Sequence, residues 1–152
     1  MIKNLRFLTL ALLSALFNVA MAQEAVSSVT FVGADDPIEE VMDADGTTVG
    51  FILQKDGVTI EAKKAEGASA PTQNGKFFDY RTYANNTITV SCENGYLQQI
   101  DFTLSAQGKK RYGPVEATCG AWTQAAGDEV FTWYGDKIAN SLVTFTVAEK
   151  AE

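Results

Sequence analysis

Residues 86–104 read Asn-Thr-Ile-Thr-Val-Ser-Cys-Glu-Asn-Gly-Tyr-Leu-Gln-Gln-Ile-Asp-Phe-Thr-Leu. Ile88, Val90 and Cys92 alternate with Thr87, Thr89 and Ser91, and Ile100, Phe102 and Leu104 alternate with Gln99, Asp101 and Thr103. Alternation with period two puts one set of side chains on each face of an extended chain, so both stretches predict strands with one face buried. Glu93-Asn94-Gly95 between them carries turn residues, which predicts that the two strands form a hairpin.

The same pattern recurs outward from this stretch. Val58, Ile60 and Ala62 alternate with Thr59 and Glu61, and Lys55-Asp56-Gly57 joins them to residues 49–54. Val143, Phe145 and Val147 alternate with Thr144 and Thr146. Further strands are predicted over 28–32, 77–83, 114–119 and 129–134. Only Pro37 to Ala44 reads as a helix, of about two turns with proline at its start. Lys63 to Gly75 is small, polar and unpatterned, and reads as a mobile surface loop. Many short strands at regular spacing predict an all-β fold, a two-layer antiparallel β-sandwich of jelly-roll or Ig-like type. Its expected core is Ile88, Val90, Ile100, Phe102, Leu104, Val143, Phe145 and Val147.

Residues 1–22 read as a secretory signal peptide. Lys3 and Arg6 form a cationic start, Phe7 to Phe17 is apolar, and Ala20-Met21-Ala22 is a small-x-small cleavage signal. The apolar run is about half the ~20 residues that cross a bilayer. Cleavage leaves Gln23, where a lipid-anchored protein would need cysteine, so no membrane insertion is expected afterwards. The expected location is secreted or at the cell surface, with residues 23–152 as one β-sandwich domain. Removing Lys3 and Arg6, with no acidic residue, takes the formal net charge from −7 to −9. Such a surface repels phosphate backbones and anionic membranes, which argues against nucleic-acid partners. The one basic cluster, Lys109-Lys110-Arg111, is a lone triplet.

The chain contains no histidine. That removes every Ser-His and Cys-His nucleophile pair and the commonest metal ligand. Cys92 and Cys119 both lie in the exported part, where oxidation is permitted. A bridge between them would close a 28-residue loop and constrain the unfolded chain by roughly 3–4 kcal/mol. Two free thiols serving as small core side chains fit the sequence equally well. The expectation is a Cys92–Cys119 bridge after export; it needs Cα atoms within about 7 Å, which a flat meander does not give, so it requires the two strands to sit in opposite sheets or at a splayed edge.

Acidic residues crowd between Asp35 and Asp45. Asp43-x-Asp45-Gly46 echoes the start of a calcium loop, making Asp43 and Asp45 the candidate ligands for a calcium ion. The echo fails downstream, where Leu53 and Gln54 stand near the position of the closing glutamate. No cofactor is otherwise implied. Among the aromatics, Tyr83 and Trp122, with Arg81, are the candidate ligand surface, because exposed Tyr and Trp rings with a nearby polar group can hold a sugar. Asn85-Asn86-Thr87 matches the N-glycosylation pattern.

The succession at 55–67, 74–111 and 130–147 resembles small β-sandwich modules on exported proteins of Bacteroidetes-type bacteria. The resemblance rests on Arg81-x-Tyr83, Asn86 to Val90, Leu97 to Phe102, Thr132-Trp133 and Val143 to Val147. It implies a secreted or surface module of adhesion type and carries no catalytic residues. Modules of this kind run on into one more strand, so the resemblance implies that the domain is truncated at Glu152. The leading functional expectation is a non-enzymatic binding or adhesion module whose ligand is a carbohydrate or protein. The alternatives are a carboxylate-dependent glycoside hydrolase, which needs no histidine, and a structural spacer domain.

Overall fold

The computed structural model describes residues 27–75, 79–106, 116–123, 130–135 and 141–148. The expected signal peptide, Gln23 and the basic triplet lie outside the described residues. The strands are β1 (Glu39–Met42), β2 (Thr48–Lys55), β3 (Val58–Lys63), β4 (Thr72–Gln73), β5 (Tyr80–Arg81), β6 (Thr87–Cys92), β7 (Gln99–Thr103), β8 (Glu116–Ala117), β9 (Ala121–Thr123), β10 (Val130–Tyr134) and β11 (Leu142–Thr146). A six-stranded sheet runs β1-β2-β3-β6-β11-β8, a three-stranded sheet β7-β10-β9 and a two-stranded ribbon β4-β5. Every pairing is antiparallel.

Register shows why the alternating residues make one core. In the large sheet Leu53, Ile60, Val90 and Val143 stand opposite one another in a row across four strands. The next row of the same face is Phe51, Ala62, Ile88, Phe145 and Ala117. Between these rows Glu61, Thr89 and Thr144 point the other way, and the Thr89 and Thr144 hydroxyls lie 2.9 Å apart. The three-stranded sheet covers one end of the apolar face. Trp133 of β10 and Phe102 of β7 meet Phe145 edge-on, with ring centroids 5.9 and 5.1 Å away. Trp133, Val143 and Phe145 are fully buried, each stabilising the fold by roughly 1.5–3 kcal/mol through apolar burial.

The other end of that face, around Phe51, Leu53 and Ala62, is covered by Phe31, Ile38 and Tyr80. The molecule is therefore an all-β, two-layer antiparallel sandwich whose second layer is built from two pieces. Val90, Val143, Phe145 and Val147 are buried as expected, and Ile88, Ile100 and Phe102 pack half-buried against them. Gln99, Asp101 and Thr103 face solvent.

Several sequence expectations are corrected. β6 and β7 are not a hairpin: β7 crosses to the other layer and pairs with β10. Both edges of β6 are already taken by β3 and β11, so no edge remains for β7. Residues 37–44 contain strand β1 rather than a helix, because pairing with β2 overrides the local preference. Residues 28–32 join no sheet. The Lys55–Val58 turn is as expected, a two-residue hairpin with Asp56 and Gly57 at φ 49° and 77°.

The segment 63–75 is pinned rather than loose. Asn86, fully buried, donates from Nδ2 to the Ser69 carbonyl at 3.1 Å and accepts the Ala65 amide at 3.3 Å. Its backbone also closes the end of β11, accepting the Val147 amide at 2.9 Å.

Cys92 and Cys119 are free and half-buried, so the bridge is not formed. Strand β11 lies between them, pairing β6 on one side and β8 on the other. Two strand spacings, roughly 9–10 Å, exceed the reach of a disulfide.

Candidate functional site

The outer face of the three-stranded sheet gathers the polar partners of the core residues. With Phe131 and Trp133 buried, alternation along β10 turns Val130, Thr132 and Tyr134 outward. Val130 and Tyr134 are exposed at 40% and 45%. Tyr134 stands opposite Gln99, and Thr132 opposite Asp101. Gln99 Nε2 donates to both carboxylate oxygens of Asp101, at 2.9 and 3.2 Å.

The end of this face is closed by the link that brings the chain over from β6. Gly135 donates its amide to the Gln98 carbonyl at 2.9 Å, and Gln98 Nε2 donates to the Tyr96 hydroxyl at 3.1 Å. Tyr96 is itself exposed. The sheet is seated on the core through Trp133, whose indole N–H donates to the Cys119 carbonyl at 2.7 Å. Gly120 follows with φ 76°. A side chain there would run into the Trp133 indole and sit 2.5 Å from the Tyr134 carbonyl oxygen. The arrangement places an exposed phenol ring in register with an exposed amide–carboxylate pair.

The residues singled out in the sequence are distributed differently. Arg81 is exposed in β5, opposite Thr72. Tyr83 is half-buried, and its carbonyl accepts the Asn86 amide at 3.0 Å. Their segment lies with the Phe51 cluster, which Tyr80 covers. Trp122 belongs to β9 of the three-stranded sheet, in register with Trp133, and its side chain lies outside the described residues. Arg81 and Trp122 thus sit on elements that cover different halves of the large sheet. The face around Tyr134 was legible only in part: alternation at 130–134 turns Tyr134 outward, but its pairing with Gln99 depends on β7 changing sheets.

Asp43 serves the β1–β2 turn. Its Oδ1 accepts the Asp45 amide at 3.0 Å and the Thr47 amide at 2.9 Å. No group of three or more His, Cys, Asp or Glu side chains among the described residues is arranged to hold a metal ion.

Compared with family models, curated proteins and solved structures, the chain matches none.

Proposed function

We propose that this protein is an exported, non-enzymatic binding or adhesion module that holds a carbohydrate on the outer face of its three-stranded sheet. The observation that carries the reading is the exposed Tyr134 in register with Gln99, which holds Asp101 beside it. A phenol ring presents an apolar face to the C–H side of a sugar and a polar tip to its hydroxyls. An amide and a carboxylate held together supply a donor and acceptors at fixed spacing, which selects hydroxyl geometry. The strands beneath are fixed by Trp133 and Phe145, so the face is organised before a ligand arrives, which reduces the entropy lost on binding. Export follows from the reading of residues 1–22, and the adhesion role agrees with the resemblance of the strands to surface modules.

The test is affinity electrophoresis of the mature protein in gels containing soluble galactomannan, xyloglucan or mucin glycans. The expected result is retardation by at least one polysaccharide, lost in Tyr134→Ala and reduced in Gln99→Ala, with circular dichroism unchanged. Migration unaffected by all three, or equal retardation of Tyr134→Ala, would refute the reading.

A further inference from the structure

Residues 27–38 form a strap that joins no sheet yet covers the buried Phe51, Leu53 and Ala62 with Phe31 and Ile38. Three side chains of the body hold it by its main chain. Lys55 Nζ donates to the Thr30 carbonyl at 2.9 Å, Gln73 Nε2 to the Gly33 carbonyl at 2.6 Å, and the Tyr80 hydroxyl to the Asp36 carbonyl at 2.6 Å. Gln73 Oε1 also accepts the Ile38 amide at 3.4 Å. The strap folds on itself, with the Val32 amide donating to Asp36 Oδ2 at 2.7 Å, and Lys55 clasps the same carboxylate at 2.9 Å.

This is a groove that grips carbonyls three residues apart and takes two apolar anchors, filled in cis by the chain's own segment. We infer that the groove is also an interaction surface for a second copy of this chain, in which the strap of each molecule occupies the groove of the other. Exchange remakes each contact in the partner, so it costs no contact energy and is governed by concentration. The strap leads directly into β1, the edge strand of the large sheet, so it leaves the domain at its border. Lacking ladder hydrogen bonds to a sheet, it opens at a free energy below that of global unfolding. An effective concentration of the cis strap in the millimolar range keeps the dilute protein monomeric.

The experiment mixes two full-length mature variants. Phe31→Ala weakens the strap and keeps the groove; Gln73→Leu with Tyr80→Phe keeps the strap and removes two clamps. Because exchange is neutral in contact energy, sedimentation should show dimer in the mixture only after the two variants are concentrated together, opened by brief acidification and returned to neutral pH. A fluorescein-labelled peptide of residues 27–38 should bind Phe31→Ala at least roughly tenfold tighter than the clamp variant, as expected for the loss of three hydrogen bonds, two at Gln73 and one at Tyr80. Should the clamp variant fail to fold, wild type is briefly acidified at high concentration, which releases Lys55 from Asp36, and returned to neutral pH. Trapped dimer supports exchange. A monomeric mixture with no peptide binding to Phe31→Ala, or wild type that stays monomeric after acidification, would overturn it.

Discussion

Replacing Asn86 tests how the 63–75 segment is held. The side chain is fully buried and makes one hydrogen bond to the Ser69 carbonyl and one from the Ala65 amide. Asn86→Ala removes both, each with a net contribution of about 0.5–1.5 kcal/mol, and leaves the half-buried Ala65 amide without its partner. The expected loss is about 2–3 kcal/mol, a large share of a small domain's stability. Asn86→Asp keeps the acceptor toward Ala65 but turns an ionised oxygen toward the Ser69 carbonyl. Burial raises the folded-state pKa of that new carboxyl above its unfolded value. The neutral form therefore suits the fold, and its stability is present at acid pH and lost as pH rises through the folded pKa. Urea unfolding, followed by circular dichroism from acid to neutral pH, checks both variants. Asn86→Ala within about 0.5 kcal/mol of wild type, or Asn86→Asp becoming relatively more stable as pH rises, would refute the assignment.

Gly120→Ala combines a left-handed backbone with collision against Trp133 and should cost about 2–4 kcal/mol in thermal unfolding. Phe145→Ala, at the meeting of both layers, should cost about 3–5 kcal/mol, while the exposed Asp101→Ala changes stability by under about 0.5 kcal/mol. The Val32 amide, then the Lys55 ammonium, hold the Asp36 carboxyl below its ordinary range. Its contribution is present above the unfolded pKa and lost as pH falls through the lower folded value, so hydrogen exchange of residues 30–36 should rise on acidification and do so at higher pH in Lys55→Met. A thiol assay on unfolded, unreduced protein should count both cysteines, since Cys92 and Cys119 are free; a count of zero would contradict the strand order.

Much of the core was legible because alternation is a local property. Residues 87–92 and 142–147 place Val90, Val143, Phe145 and Val147 inward wherever their partners lie, and the structure buries all four. Partner choice was not legible. Glu93-Asn94-Gly95 carries turn residues, yet β3 and β11 occupy both sides of β6, a fact spread over residues distant in sequence. Glu39, Glu40 and Met42 favour helix in isolation, and pairing with β2 outweighs that preference. Asn86 looked like part of a glycosylation pattern; its structural role depends on Ala65 and Ser69, which no spacing rule connects to it. At the candidate site, the outward turn of Tyr134 and the two-residue spacing of Gln99 and Asp101 were present in the sequence. Their meeting required the sheet exchange. Alternation puts Arg81 and Tyr83 on one face of 77–83, and Trp122 stands beside polar residues, but the segment of Arg81 and Tyr83 lies with the Phe51 cluster while Trp122 belongs to the three-stranded sheet.

The most direct measurement is a nitrogen-15 NMR titration of the mature protein with the polysaccharide that retards it most strongly. The expected result is a set of amide shift changes concentrated at residues 96–103 and 132–135, the two sides of the Tyr134 face. Changes centred on Arg81 and Tyr83, or no saturable change anywhere, would contradict the placement of the binding face on the three-stranded sheet.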